Sequence, residues 1–204
     1  THTAKEQSLR GDIITKDGVV VATSNKSLDY REYPFNDSLS NIIGYVAKSD
    51  DNKSLKGVNG LENCYDKELQ SSETITLNIP MQLQKEIEKI ADTNKAKLNA
   101  DEIIVSIMET KTGNILSLAT SNRFNPNNIE MDTIKYLNNN AIEFAYEPGP
   151  VLIPITVALG LDKNRVVESE TIPAYNLGQK DKNGLFPQGI ISIDGWNIKD
   201  QNRF

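Results

Sequence analysis

Up to residue 75 the apolar positions come in short runs separated by polar turns, and no sustained helical period develops. Ile13-Ile14 and Val19-Val20-Val21 flank Asp17-Gly18. Two β-branched runs around a residue that tolerates positive φ predict a hairpin with strands over 11–15 and 19–23. Tyr33-Pro34 opens a polar turn, Ile42-Ile43-Gly44-Tyr45-Val46 reads as a short strand, and 48–56 is a charged loop without periodicity. Leu61, Cys64, Tyr65 and Leu69 then share one face of a short helix.

The period changes after Thr74-Ile75-Thr76-Leu77, which reads as a strand. Asn78 is placed to cap a helix that Pro80 enters, and Leu83, Ile87, Ile90, Ala91 and Leu98 recur at three and four residues, predicting a helix over 79–98. Lys85, Glu86, Glu88 and Lys89 make its solvated face. Residues 103–108 are almost unbroken apolar sequence, as in a strand covered on both faces, with 115–120 as partner across the turn 110–113. Last, the polar turn Tyr146-Glu147-Pro148-Gly149 runs straight into Leu152, Ile155, Thr156 and Leu159 at helical spacing. Residues 172–196 are loop-like, with a short β candidate at 189–193. The pattern as a whole is α+β.

Composition narrows the chemistry. With 204 residues, 38% hydrophobic and 25% charged, the chain can bury one sizeable core or two small ones. A net charge of −6 with no basic cluster argues against nucleic acid or an anionic membrane surface as partner. The single cysteine, Cys64, reads as a small buried hydrophobe, and the single histidine, His2, lies at the chain end. No Cys/His pair, metal set or Ser-His-Asp triad can be assembled from them, and no cofactor is implied. No apolar run is long enough to span a bilayer. Arg10-Gly11-Asp12 as an integrin ligand, and the sequons at Asn25, Asn36 and Asn52, are short matches of little weight.

A tight turn feeding a helix N-terminus is how acyl-transferases of the Ser-x-x-Lys type present their nucleophile. The stretch from Tyr146 resembles the Tyr-Glu-Pro-Gly-Ser-x-x-Lys-Pro segment of the class B penicillin-binding proteins. Here the serine position is Pro150 and the lysine position is Ile153. A proline cannot attack a carbonyl and an isoleucine cannot take a proton. Both have ordinary structural readings, Pro150 in a first helical turn and Ile153 in a core. The resemblance extends through Arg10-Gly11 with Asp17-Gly18, then Tyr33-Pro34, Ile43-Gly44-Tyr45-Val46, Gly60-Leu61-Glu62 and Tyr65-Asp66-x-x-Leu69, in the family's order. Phe124-Asn-Pro-Asn127 matches its Phe-x-Pro-Asn loop. Lys111-Thr112-Gly113 spells the box that contacts the substrate carboxylate, but it precedes the nucleophile helix and instead matches an early hairpin of the domain.

The resemblance implies an elongated β-rich pedestal of dimerisation type over 1–75 and the front part of a transpeptidase domain over 76–204. It implies a short-pedestal or head-deleted form truncated after the Ser-x-x-Lys region, since no Ser-x-Asn box and no later Lys-Thr-Gly occur. That would leave an unpaired apolar edge at 103–120. The family reaction is D,D-transpeptidation of peptidoglycan stem peptides through a serine acyl-enzyme that β-lactams also form. It takes place on the periplasmic side of the bacterial inner membrane, in a parent anchored by an N-terminal helix absent from this sequence. Partners implied are the stem peptide and other wall-synthesis proteins docking on the pedestal. Without serine and lysine the chain is expected to resist acylation. A non-catalytic scaffold module, or a fragment of an active enzyme, are the other readings.

Overall fold

The computed structural model describes residues 9–25, 30–49, 54–167 and 169, together with the backbone of Ile190–Ile193 and Trp196–Lys199. The chain divides into two compact units, Thr1–Ala145 and Tyr146–Phe204. Helices and strands are both present, and the fold is α+β.

The first unit begins at the Asp17-Gly18 hairpin. β1 (Ile13–Ile14) pairs antiparallel with β2 (Val20–Asn25), Ile13 opposite Ala22 and Ile14 opposite Val20, with Gly18 at φ 78° in the turn. β3 (Tyr30–Glu32) extends the sheet beside β2. The short α1 (Ser40–Ile43), a second hairpin of β4 (Val46–Lys48) and β5 (Leu55–Gly57), and the helices α2 (Gly60–Cys64) and α3 (Asp66–Gln70) follow. The chain then returns as β6 (Ile75–Thr76), parallel to β1, giving the order β3-β2-β1-β6. Past β6, Leu77, Ile79 and Met81 join Ile13, Val21, Ala22, Leu39, Ile43 and Leu69 in one buried core.

α4 (Met81–Leu98) starts two residues later than a cap at Asn78 would place it. No side chain caps it at Pro80; the Met81 N–H instead donates to Asp17 Oδ1 at 3.0 Å, from the first hairpin. Asp17 also accepts from the Thr15 hydroxyl, and these two bonds, the hydroxyl first, hold its carboxyl below the ordinary 3.8. A carboxyl lowered on folding stabilises the fold above its unfolded pKa and loses that contribution as pH falls through the folded value. Asp17→Asn is therefore expected to be less stable than the parent at pH 7, with the gap closing on acidification. Urea titrations at neutral pH and near pH 3 check this; a gap independent of pH would remove the carboxylate from the account.

Local pattern misassigned several residues, each for a tertiary reason. Ile42-Ile43 belong to α1 and not to a strand, since Ser38 Oγ and the Leu39 N–H both donate to the Glu88 carboxylate, at 2.6 and 3.0 Å, and fix the helix start. Glu88 is consequently buried on α4, not on its solvated face, while Ile90 and Leu98 are exposed. The inward face is Met81, Gln84, Glu88 and Ala91. Cys64 is exposed at the end of α2 rather than buried.

β7 (Ile104–Met108) and β8 (Ile115–Thr120) pair antiparallel, and α4 packs on β8. Gln84 joins the layers: its amide oxygen accepts from Ser117 Oγ at 2.8 Å and from the Leu118 N–H at 3.1 Å, and its amide donates to Glu88 and to the Leu118 oxygen. Asn127, in the Phe-Asn-Pro-Asn loop, accepts from the Tyr33 N–H at 2.9 Å and donates to the Tyr33 oxygen at 2.8 Å. Phe124 is buried edge-on against Tyr45, with ring centres 6.0 Å apart. β7 is not covered on both faces, for Ile104 and Met108 are exposed and so is Ile115 on β8.

Beyond β8 a single 3-10 turn (Ile134–Tyr136) and α5 (Asn140–Glu143) lead to the end of the first unit. In the second unit a 3-10 turn (Gly149–Leu152) continues into α6 (Ile153–Asp162), and β9 (Ile190–Ile193) pairs antiparallel with β10 (Trp196–Lys199) at the 189–193 β candidate. The loop assigned to 172–189 lies outside the described residues. Among the described residues no helix is long and apolar enough to cross a membrane.

Candidate functional site

Arg10, Tyr33 and Glu62 come from three separate motifs and meet in one buried cluster. α2 carries Glu62 in its first turn, where the side chain has no exposure. Arg10 Nε donates to Glu62 Oε2 at 2.6 Å, its Nη2 to the Glu62 backbone oxygen at 2.6 Å, and its Nη1 to Asp66 Oδ1 at 2.7 Å. Arg31 Nε donates to Glu62 Oε1 at 2.8 Å, and the Tyr33 hydroxyl donates to the same oxygen at 3.4 Å. Two guanidiniums thus face two carboxylates, and charge balance with filled hydrogen bonds is the condition for burying such groups. Burial, and then the Glu62 carboxylate, push the Tyr33 hydroxyl well up, so it stays a donor.

The neighbouring motif residues serve the same cluster. Gly11 donates its N–H to the Leu69 oxygen at 2.7 Å, and a side chain there would put its Cβ 1.9 Å from the Glu73 oxygen. Gly60 and Leu61 open α2 in front of Glu62, and Leu61 packs on the core. Pro34 lies exposed in the turn that follows Tyr33. The Glu62 carboxylate is taken up by Arg10, Arg31 and Tyr33, and Arg31 Nη1 by the Arg10 oxygen and Ser24, while Arg31 Nη2 is buried without a partner. Arg31 escaped the sequence reading, although its place two residues before Tyr33 on an alternating strand puts both on one face.

The turn before α6 has a different character. Glu147 is exposed, Pro148 half-buried, and Gly149 takes φ 50°, a left-handed value that a side chain disfavours. Pro150 follows in the 3-10 turn, where its missing N–H leaves no helical bond unmade, and Ile153 opens α6 one turn later on the same face. The backbone has the form that presents a nucleophile and a base, and the side chains are those of neither. Ile153 is 60% exposed and not a core residue, and most other apolar side chains of α6 are exposed too, among them Ile155, Val157 and Leu159. Tyr146 is exposed as well.

Lys111-Thr112-Gly113 forms the exposed turn between β7 and β8. Thr112 Oγ1 bonds Glu109 and accepts from the Asn114 N–H, while the Gly113 N–H donates to the Glu109 oxygen at 2.8 Å. Its hydrogen bonds close the hairpin on itself.

A model of the penicillin binding protein transpeptidase domain matches residues 103–203. The chain belongs to the class B penicillin-binding proteins. Among curated relatives of this family, peptidoglycan D,D-transpeptidase FtsI of Escherichia coli is 23% identical over 201 residues, covering 84% of this chain and 33% of the relative. Stage V sporulation protein D of Bacillus subtilis is 25% identical, covering 89% of this chain and 29% of the relative. The chain therefore spans about a third of the length of these two relatives. Penicillin binding protein 3 of Mycobacterium tuberculosis superposes with a TM-score of 0.74 at 20% identity, covering 96% of this chain and 43% of that one. Penicillin-binding protein 2 of Pseudomonas aeruginosa gives 0.67 at 21%, covering 97% and 46%. These two establish the fold.

Proposed function

We propose that the chain is a pedestal over 1–75 joined to the front of a transpeptidase domain over 76–204, from a protein of peptidoglycan synthesis that works outside the cytoplasm. Its family reaction is D,D-transpeptidation of stem peptides, and in this chain the acyl-enzyme does not form. One observation carries the second part: the helical turn that should present Ser and Lys presents Pro150 and Ile153. Acyl transfer by this route needs an atom that can bond the carbonyl carbon and a group that can take its proton. Neither side chain has one. The ordered motifs and the family match support the first part.

The test is exposure of the purified chain to a fluorescent penicillin, followed by denaturing electrophoresis. No labelled band is expected at any concentration that labels an active penicillin-binding protein run beside it. A covalent band on this chain would overturn the inactive reading.

A further inference from the structure

We infer that Asn41 and Asn59 are positioning residues, through which the N-terminal part of the molecule holds the backbone at 136–138, the run that precedes the Tyr146-Glu147-Pro148-Gly149 turn in the sequence. Asn41, on α1, donates its amide to the Tyr136 oxygen at 2.7 Å and to the Asn138 oxygen at 3.0 Å. Asn59, just before α2, donates to the Leu137 oxygen at 2.7 Å. Three consecutive carbonyls are thus gripped by two side chains from elements far back in the sequence. The inference rests on the proposal that this turn is where the family's acyl-transfer groups belong.

Burial does not hold this run in place. Of residues 134–145 only Asn139 is buried; Ile134, Ile142 and Phe144 are exposed. The segment's own hydrogen bonds are confined to one 3-10 turn and the single turn of α5, which Asn139 caps by accepting from the Ala141 N–H. Short helices of this kind are marginal by themselves. Asn140 adds one bond to Glu102 at 2.8 Å, on the side of β7. The Asn59 amide oxygen is buried without a partner, while its NH2 group donates to Leu137.

The grip also has a defined origin. α1 is fixed by the Glu88 carboxylate on Ser38 and Leu39, and Asn59 stands one residue before the helix that carries Glu62. A displacement of either helix is passed to residues 136–138 through bonds of known direction.

Amide hydrogen exchange on the purified chain, read by mass spectrometry, tests this without any acylation step, so its outcome is independent of the penicillin experiment. Asn59→Asp keeps the shape and replaces the donating amide by a carboxylate facing a carbonyl; Asn41→Ser removes the second donor. Each is expected to raise exchange over 134–143 tenfold or more while leaving α4 and β2 at parental rates. Unchanged exchange over 134–143, or an increase shared equally by α4, would overturn it, the second because it marks ordinary loss of stability. Failure of Asn59→Asp to fold would overturn it too, since an exposed run cannot support the core.

Discussion

Glu62→Gln is expected to lose about 3–5 kcal/mol of stability, the cost of leaving a buried charge without its partner. The substitution keeps the shape of the side chain but turns the acceptor that serves Arg10, Arg31 and Tyr33 into a neutral amide. Asp66 alone then faces two guanidiniums whose side chains are 4% and 1% exposed. Small domains have only roughly 5–15 kcal/mol to lose, so the urea midpoint should fall by about a fifth or more. A midpoint close to the parental one would show that the cluster is solvated in solution and that the motif residues have some other role.

Gly44→Ala has the other large effect, through shape alone. Gly44 ends α1 at φ 78°, ψ −152°, a combination open in practice to glycine only. An added Cβ would also lie 2.0 Å from the Asn59 backbone oxygen. Backbone strain and overpacking each cost about 1–3 kcal/mol, so a loss of several is expected. At roughly 2–4 °C per kcal/mol for a chain of this size, thermal unfolding should come on the order of 10 °C lower. The same clash pushes Asn59 away from Leu137, so the variant should also loosen residues 134–143. A melting temperature within a degree of the parent would mean that the α1–α2 contact is looser than its geometry implies.

The elements specified by local sequence were legible. The Asp17-Gly18 hairpin, α4 and the β7–β8 pair need only a turn residue or a hydrophobic period, and each lies within a few residues of its expected place. Glu88 was not legible, because its neighbours Lys85, Glu86 and Lys89 are charged and its partners Ser38 and Leu39 are remote. A closer reading of Met81, Gln84, Glu88 and Ala91 as a three-four-three spacing would have marked it. α1 failed for a related reason: β-branched Ile42-Ile43 favour a strand locally, and the carboxylate that makes them helical comes from α4. At the candidate site the turn and the helix were legible, including the first-turn proline, since both follow from proline and glycine geometry. The clamp by Asn41 and Asn59 was not, because asparagines joined across the chain leave no periodic trace.

The motif residues thus act as architecture, and together with Gln84, Glu88 and Asn127 they tie the described residues of the first unit into one body. The most direct test replaces two fully buried alanines, Ala22 on β2 and Ala91 on α4, singly by cysteine in a Cys64→Ser background. Thiol labelling is then followed in increasing urea, so that modification reports opening at each site. A single body requires both thiols to react through the same opening, with coincident urea dependence. Labelling at position 22 at low urea, with position 91 still protected, would contradict it by showing that the N-terminal part unfolds on its own.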